Sequence, residues 1–469
     1  MHTASAMDPS RAAPLTPITY PGSKPLIGVL PALQENPLRV MERATLEFGP
    51  VTHIPLPTLE GFVLGSPKLA HHVLVANVKN YVKQTRGYDM LRLVLGNGLV
   101  TSEGDFWKRQ RRIAQPAFHR ERLAGFGAVM TRAASEMVDR WQAGQPDSAG
   151  GAAGLKPFDF AAEMMRCTLR VVGETLLSSD VTGEADSVGA ALTDVLEHLI
   201  HRTLHPFSAP EWLPTPTNQR FKRSLEQLDR VVLDLIAQRR KGGGPKDDLL
   251  AMLMESRDPE TGEGMTDEQL RDEVMTIFLA GHETTANNLS WTMALIGRAP
   301  EVERKLVAEA KAALDGALPT METVHRLPYA MNVVKESLRL YPPVWSLGRR
   351  VLEDDVVDGY LLPKDALVFL SPWAIHRLPE FWPDPLAFDP DRWLTDDPRR
   401  LHGSYLPFSL GQRKCIGDMF AMVEAQLILT TSLQRVHVSL VPGQTFEPEP
   451  VITLRPRGGV QVIATPRPR

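Results

Sequence analysis

The sequence has few cysteines, no long apolar run and no excess of either charge. Two cysteines in 469 residues exclude a disulfide framework and fit a reducing compartment. No stretch reaches the roughly 18 consecutive apolar residues that a membrane-spanning helix needs. Lys and Arg number 52 against 56 Asp and Glu, a net charge of −4, which gives no reason to expect a nucleic acid or an anionic membrane as partner. What is present is an ordinary globular composition, 43% hydrophobic, which is enough for a large core.

The first residues predict a short disordered terminus, 1–14, because they are polar, small and contain proline. No charged segment followed by an apolar one marks a signal peptide, so the expected location is cytoplasmic. From Tyr20 to Pro37 the chain is rich in Pro and Gly and predicts an extended lead-in. Helical periodicity dominates from Asp105, and short strands with Pro-rich turns follow Pro342. The sequence therefore predicts an α+β fold that is mainly α.

The most informative segment is a short stretch around Cys415. It contains, at fixed spacing, Phe408, Gly411, Arg413, Cys415 and Gly417. Gly411 permits a tight turn, and Gly417 would let a flat ligand approach the backbone closely. Arg413, Lys414 and the amino end of a following helix would favour a thiolate at Cys415, and Phe408 would shield the sulfur from water. This arrangement predicts a thiolate bound to a soft metal such as heme iron.

The stretch resembles the heme-binding loop of the cytochrome P-450 (heme-thiolate monooxygenase) superfamily, Phe-x-x-Gly-x-Arg-x-Cys-x-Gly, at every fixed position. The resemblance implies a large helical domain with a small β-sheet region, and heme b (iron protoporphyrin IX) between a long oxygen-binding helix and the cysteine-loop helix. Cys415 would be the axial ligand. Because the motifs converge on one cofactor, we expect a single domain over 15–469. Eukaryotic relatives usually carry an N-terminal membrane anchor, and its lack makes the chain similar to the soluble, bacterial type.

The longest helical run, from Thr266 to Arg298, opens with a capping-box pattern. Its centre carries Ala280, Gly281, Glu283 and Thr284. Glycine and threonine weaken a helix interior, and the Thr284 hydroxyl can bond the carbonyl one turn back, so we expect a groove on this face. The four residues match the acid–alcohol motif of the family, which places dioxygen in such a groove. The resemblance implies that Thr284 stabilises the activated oxygen and that Glu283 relays protons.

Glu336 and Arg339 form an i, i+3 pair on one helix face. The later segment around Arg392 resembles the meander of the family, whose arginine completes a triad with this Glu and Arg. Asp391 and Trp393 stand where Glu and Phe are usual. The resemblance assigns Glu336, Arg339 and Arg392 to folding and to positioning of the heme loop.

Trp107 and Arg111 lie one helical turn apart, so an indole N–H and a guanidinium can reach the same carboxylate. The family uses this pair for the heme propionates. Arg413 and Arg349 match further propionate-binding positions, with Arg350 as an alternative to Arg349.

Electrons are expected from a separate protein, since the chain ends about fifty residues after Cys415 and leaves no room for a fused reductase. NAD(P)H would supply them through a ferredoxin or a flavodoxin with its reductase. From Lys108 to Arg122 six Lys/Arg stand against a single acid, and with Lys414 they predict a basic docking patch for an acidic carrier.

The substrate is expected to be lipophilic, because the segments placed above the iron by their position relative to the motifs are apolar and aromatic. The predicted pocket residues are Tyr88, Leu91, Phe278, Val344, Trp345, Leu347 and Ile452. His198, His201 and His205 form a helically spaced row, which we interpret as solvated or pocket-rim histidines and not as a metal site.

The predicted function is a monooxygenase that uses dioxygen and two electrons to hydroxylate or epoxidise a fatty acid, terpenoid, steroid or other natural product. The alternatives are a peroxide-driven hydroxylase, a heme-thiolate isomerase and a non-catalytic heme-binding protein. Relatives of the first two kinds tend to lack the acid–alcohol pair, so Glu283 and Thr284 favour the monooxygenase.

Overall fold

The computed structural model describes residues 14–143, 156–176, 185–242 and 248–467. The helices in these ranges are α1 Leu30–Glu35, α2 Pro37–Leu46, α3 Pro67–His71, α4 Arg86–Leu95, α5 Gly104–Ala114, α6 Arg120–Ala143, α7 Phe160–Leu176, α8 Ala185–Leu204, α9 Pro216–Arg240, α10 Leu249–Glu255, α11 Asp267–Ile296, α12 Pro300–Leu314, α13 Pro328–Leu340, α14 Pro372–Ile375 and α15 Asp418–Arg435. Helices dominate, as the sequence predicts. In these ranges no helix combines the length and the apolar character needed to cross a bilayer.

The strands are short, with at most six residues each in the described ranges. They are β1 Ile18–Thr19, β2 Val51–His53, β3 Gly61–Leu64, β4 Tyr81–Val82, β5 Phe158–Asp159, β6 Leu347–Val351, β7 Asp355–Val357, β8 Tyr360–Leu362, β9 Leu367–Leu370, β10 Val436–Leu440, β11 Pro448–Pro450, β12 Leu454–Pro456 and β13 Gln461–Pro466. In the described residues the largest sheet has the order β1-β2-β3-β9-β6-β4, and a second has the order β10-β13-β5. Two hairpins, β7-β8 and β11-β12, stand apart from these sheets.

The long helix α11 begins as the sequence predicts. The Thr266 side chain accepts from the backbone N–H of Gln269 at 3.2 Å, and the Gln269 side chain accepts from the N–H of Thr266 at 3.0 Å. Two backbone donors that a helix start leaves unpaired are thereby satisfied. The helix runs without interruption to Ile296, and most of its side chains are buried.

Two hydrophobic clusters hold α11 and fix the elements around it. In the first, α11 packs with α6, α13 and α15. In the second, which we call the central cluster, it packs with α4, α5, α8 and α9. Ile416 of the cysteine loop and Ile452 of the β11–β12 turn both pack against the central cluster. These contacts bring Cys415 and the C-terminal hairpin alongside α11.

Two predictions about the amino-terminal region have different outcomes. The extended lead-in from Tyr20 to Pro37 is wrong in part, because α1 lies inside it. Pro31 occupies the first turn of α1, where its missing N–H costs nothing. The predicted disordered terminus falls, over residues 1–13, outside the described residues, and Leu15 already bonds the carbonyl of Gly359 at 2.7 Å.

Candidate active site

The cysteine loop is a tight turn that only glycine can make. Gly411 has a φ of +66°, and a Cβ atom on it would lie 2.2 Å from the carbonyl oxygen of Leu74. The Cys415 N–H donates to the carbonyl of Phe408 at 3.0 Å, which closes the loop. Cys415 lies just before α15 and is exposed. A side chain on Gly417 would meet only Phe118 at an ordinary 3.8 Å, so packing within the protein does not require this glycine.

Opposing influences act on the pKa of the Cys415 thiol. Enclosure by protein atoms raises the pKa of the Cys415 thiol above its ordinary value, although an N–H from Gly417 and the charges of Arg111 and Lys414 pull that pKa down. The net direction of this shift runs against the thiolate that the sequence predicts, and a bound metal cation would favour the anion. Arg413 contacts a residue that the sequence predicts to share its role. Its guanidinium lies 4.1 Å above the ring of Trp107.

A cluster of cations lies next to this loop. Lys83, Arg111, Arg349 and Arg413 repel one another, and burial together with the charges of Arg413 and Arg349 lowers the pKa of the Lys83 ammonium well below its ordinary value. Glu103 is the acid that opposes this repulsion. Sequence reasoning missed Lys83, because a lone lysine after a strand carries no pattern.

The cluster leaves a charged donor unused. Arg413 donates through Nη2 to the carbonyl of Ser102 at 2.6 Å, while its Nη1 is buried without a hydrogen-bond partner. Such a donor among cations suits an incoming anion with oxygen acceptors. The two carboxylates of heme b have this chemistry, and the accessible cysteine nearby supplies the soft ligand that its iron takes. The residues present therefore fit heme.

The register of β6 distinguishes the two candidate arginines. Arg349 is buried and donates to the Tyr88 hydroxyl at 3.3 Å and to the carbonyl of Gly348 at 2.7 Å. Arg350 points to the other face and pairs with Asp365 at 2.7 Å. Arg349 is thus the one in the cation cluster. Arg111 donates to the backbone carbonyl of Lys414 at 2.9 Å and so braces the cysteine loop.

One short face of α11 is open although most of the helix is buried. Ala280 is exposed, and Gly281 and Thr284 are partly exposed. The Thr284 hydroxyl donates to the carbonyl of Ala280 at 2.7 Å. The helix continues through this face, since α11 is α-helical from Asp267 to Ile296. Gly281 allows α11 to pack closely against α7, because a Cβ atom at this position would lie only 3.2 Å from the Val172 side chain.

Glu283 is buried and makes a polar contact that sequence reasoning missed. Its Oε1 accepts from the Thr453 hydroxyl at 2.6 Å, and Asn287 donates to the same hydroxyl at 2.9 Å. Burial raises the pKa of Glu283 to about 7, while the Thr453 hydrogen bond and the charge of Arg455 lower it. An acid with this pKa exchanges protons at physiological pH.

The predicted triad is assembled and has an additional member. Glu336 accepts from Arg339 at 2.8 and 3.0 Å and from Arg392 at 2.8 Å, and both Glu336 and Arg339 are fully buried. The indole N–H of Trp393 donates to Glu336 at 3.0 Å. Trp393, which departs from the usual Phe of the family, therefore adds a donor to the network. Asp391, the other departure, pairs with Lys305 at the surface.

The predicted pocket residues lie in different surroundings. Leu91 and Ile452 are partly buried against the central cluster, and Val344 is partly buried against the cluster around the six-stranded sheet. Trp345 is fixed by a hydrogen bond from its indole N–H to the carbonyl of Val451 at 3.0 Å. The remaining three predicted residues are Tyr88, which bonds Arg349, and Phe278 and Leu347, which are buried in core clusters.

The expected basic patch is largely neutralised. Lys108 pairs with Asp105, Arg112 pairs with Asp258 and Glu260, and Lys414 pairs with Asp418. Arg109 also lies within ion-pair distance of Asp258 and Glu263. The excess of positive charge predicted from the sequence is therefore wrong for these residues, and the side chains of residues 120–122 lie outside the described ones.

The histidine row is not arranged as a metal site. His198 stacks on Phe221 with 4.2 Å between ring centroids, and His201 stacks on His205 at the same distance. In the described ranges no group of three or more His, Cys, Asp or Glu side chains is placed to hold a metal ion.

The cysteine in its glycine turn lies beside cations that suit the carboxylates of heme, and this arrangement is the one expected of a heme-thiolate protein. Comparison with known proteins gives the family. The family model for cytochrome P-450 matches residues 18–463, and the chain belongs to this family and is a monooxygenase.

Three curated relatives are similar along nearly their whole length. Cyclooctat-9-en-7-ol 5-monooxygenase of Streptomyces melanosporofaciens is 35% identical over 444 residues, which is 94% of this chain and 93% of the relative. Cyclooctatin synthase of the same organism is 35% identical over 95% of both chains. Pentalenene oxygenase of Streptomyces avermitilis is 34% identical over 93% of this chain and 94% of its own.

Proposed function

We propose that this cytochrome P-450 hydroxylates a cyclic terpenoid. The observation that carries the proposal is the set of three relatives, matched over more than nine-tenths of both chains. Two are named as oxygenases, of cyclooctat-9-en-7-ol and of pentalenene, and the third is named cyclooctatin synthase. The apolar residues Leu91, Val344 and Ile452, each partly buried, support a substrate held by burial with few polar anchors.

Heme b, when bound, supplies the iron at which dioxygen is reduced and activated. Cys415 would ligate that iron. Arg413, Arg349 and Lys83 would bind its carboxylates, which relieves the repulsion among these cations.

The other residues handle protons and exclude water. Thr284 places a hydroxyl on the open face of α11, where it can hydrogen-bond an oxygen species and pass on a proton. Glu283, buried behind that face, would resupply the proton. Because this acid–alcohol pair is present, dioxygen with two electrons is a better proposal than peroxide as the oxidant.

A separate carrier would deliver the electrons, and we infer a ferredoxin or a flavodoxin, with its NAD(P)H-dependent reductase, in the cytoplasm. The carrier would dock on the cysteine-loop side, where Arg111 braces the loop. Since most neighbouring cations are paired with acids, we expect the rate of electron transfer to depend only weakly on salt.

A ligand screen tests the substrate class. Purified protein reconstituted with heme is titrated with cyclic terpene hydrocarbons and alcohols, and with fatty acids and steroids as comparison sets. We expect spin-state changes in the heme spectrum with the terpenoids, and a hydroxylated product when a surrogate ferredoxin, its reductase and NAD(P)H are added. A response confined to fatty acids or steroids would contradict the terpenoid proposal. Turnover with peroxide alone, and none with NAD(P)H, would favour the peroxide-driven alternative.

The Thr284→Ala variant tests the role of the hydroxyl. We expect heme content and electron uptake to be retained, product per electron to fall on the order of 10²-fold or more, and hydrogen peroxide to rise in its place, because proton delivery is lost. Thr292→Ala is the matched control, since its hydroxyl makes the same 2.7 Å bond to the carbonyl one turn back but is fully buried elsewhere on α11. Tightly coupled turnover in Thr284→Ala would refute the assignment.

A further inference from the structure

The acid on α11 is held by a residue far away in the chain. Thr453 lies in the turn between β11 and β12, 170 positions from Glu283, and its hydroxyl donates to Glu283 Oε1 at 2.6 Å. Asn287, one turn further along α11, donates to the Thr453 hydroxyl at 2.9 Å. All three side chains are buried.

The chemistry of these groups fixes the direction of the hydrogen bonds. The Asn287 amide nitrogen only donates, so it occupies an acceptor position of the Thr453 hydroxyl. The single hydroxyl proton is then committed to Glu283 Oε1. While Thr453 donates to it, that oxygen acts as an acceptor, and a proton carried by Glu283 sits on Oε2. Thr453 thus gives the two carboxyl oxygens different roles: Oε1 accepts its hydrogen bond, and Oε2 is left for the proton.

Glu283 also lines a cavity that reaches the surface. The cavity has a volume of about 230 Å³ and is walled by α7, α8, α11 and Arg455 of β12, which is room for several water molecules. Thr193, also in its wall, is exposed to solvent. Arg455 is fixed by Glu449 at 2.7 Å and Glu197 at 2.9 Å. Solvent protons therefore have a short route to Glu283.

We propose that Thr453 is a positioning residue for proton delivery: it holds Glu283 so that the free carboxyl oxygen takes protons from this cavity and passes them towards Thr284. The proposal rests on the proposed monooxygenase reaction. In that reaction one C–H bond, one dioxygen, two electrons and two protons give one C–OH group and one water. When the protons arrive at the wrong oxygen, the same dioxygen, electrons and protons leave as hydrogen peroxide.

The test compares Thr453→Val with Thr453→Ser. Valine keeps the shape and removes the hydroxyl, whereas serine keeps the hydroxyl. With a surrogate ferredoxin, its reductase and a substrate from the screen, we expect Thr453→Val to lower product per electron about 5- to 20-fold with a matching rise in hydrogen peroxide, since a lost positioning contact costs less than the 10²–10⁴ of a lost proton donor. Thr453→Ser should restore coupling to within about twofold, because it keeps the bond to Glu283.

The pH dependence separates positioning from a general loss of structure. Glu283 passes a proton only when protonated, so coupling in the wild type should fall as the pH rises through about 7. The Thr453 hydrogen bond lowers the pKa of Glu283, so its removal raises that pKa and should move the fall in coupling to higher pH. The other charged or titratable groups that face this site are the same in both variants: Arg455, Glu197, Glu449, Arg166 and His282.

Thr131→Val is the control, because it removes a buried hydroxyl that donates to Pro319 at 2.8 Å far from the site. It should change neither coupling nor the pH profile. Equal coupling and an unshifted profile in Thr453→Val would overturn the inference, as would a loss that serine fails to restore. Absence of NAD(P)H-driven product in the wild type would instead refute the proposed function, so the two failures are distinguishable.

Discussion

Replacing Cys415 by serine is expected to abolish monooxygenase activity and the thiolate absorbance of the reduced, carbon-monoxide-treated protein. A serine hydroxyl does not ionise at neutral pH and is a hard oxygen donor, so it does not replace a thiolate on iron. Because the ligand itself is lost, we expect turnover to fall more than the roughly 10–100-fold that is typical when only a supporting residue is removed. The cation cluster is unchanged, so heme can still associate through its carboxylates.

The measurement is the difference spectrum of the reduced protein with and without carbon monoxide, together with total heme per chain. Cys167→Ser is the matched control, because Cys167 is the second of the two cysteines and is buried in the core, where burial raises the pKa of its thiol. The control should keep the spectrum and turnover. A thiolate spectrum in Cys415→Ser, or its loss in Cys167→Ser, would contradict the assignment of Cys415 as ligand.

The features that the sequence predicts correctly depend on short spacings along the chain. The turn at Gly411 needs a positive φ, and the capping box joins Thr266 and Gln269 within one helical turn. In each case the residues that interact are close in sequence, so the pattern alone describes the geometry. The family resemblance adds the pairing of Glu336 with Arg392 across 56 positions, which spacing alone does not predict.

The features that sequence reasoning misses depend on packing between distant segments. Nothing near Thr453 in the sequence marks it as the partner of Glu283, and nothing near Lys83 marks it as part of a cation cluster. The net direction of the pKa shift at Cys415 also depends on the fold, because the sequence shows the neighbouring charges but not how far protein atoms displace water from the sulfur. Desolvation is a property of the folded chain.

Strand register and the starts of short helices are also hard to predict from the sequence. Arg349 and Arg350 alternate across β6, and only the packed face of the sheet decides which is buried. The Pro and Gly content before Pro37 suggested an extended chain, yet Leu30, Leu33 and a tolerated Pro31 form α1 against the core. Tertiary burial of two leucines outweighs the local propensity.

The second large effect is expected from Glu336→Gln, which should destabilise the protein by about 3–5 kcal/mol. The carboxylate accepts hydrogen bonds from Arg339, Arg392 and Trp393 in a fully buried position. Glutamine has nearly the same shape but no charge, and its amide N–H groups face guanidinium donors. Two arginines are then left without a counter-charge in the core. The measurement is the midpoint of denaturant unfolding, followed by tryptophan fluorescence and by the heme spectrum.

Two further variants are expected to lose less folding free energy than Glu336→Gln. They keep the role of the network testable if Glu336→Gln does not fold. Trp393→Phe removes one hydrogen bond to a charged group, which is worth about 1.5–3 kcal/mol, and leaves the arginines paired. Asp391→Asn breaks the exposed pair with Lys305 and should cost at most about 1 kcal/mol. The expected order of destabilisation is therefore Glu336→Gln, then Trp393→Phe, then Asp391→Asn.

Because the network joins α13 to the segment that leads into the cysteine loop, the heme spectrum should be lost before the tryptophan signal in the first two variants. Equal midpoints for Glu336→Gln and Asp391→Asn would show that the buried charge is not what holds this segment in place.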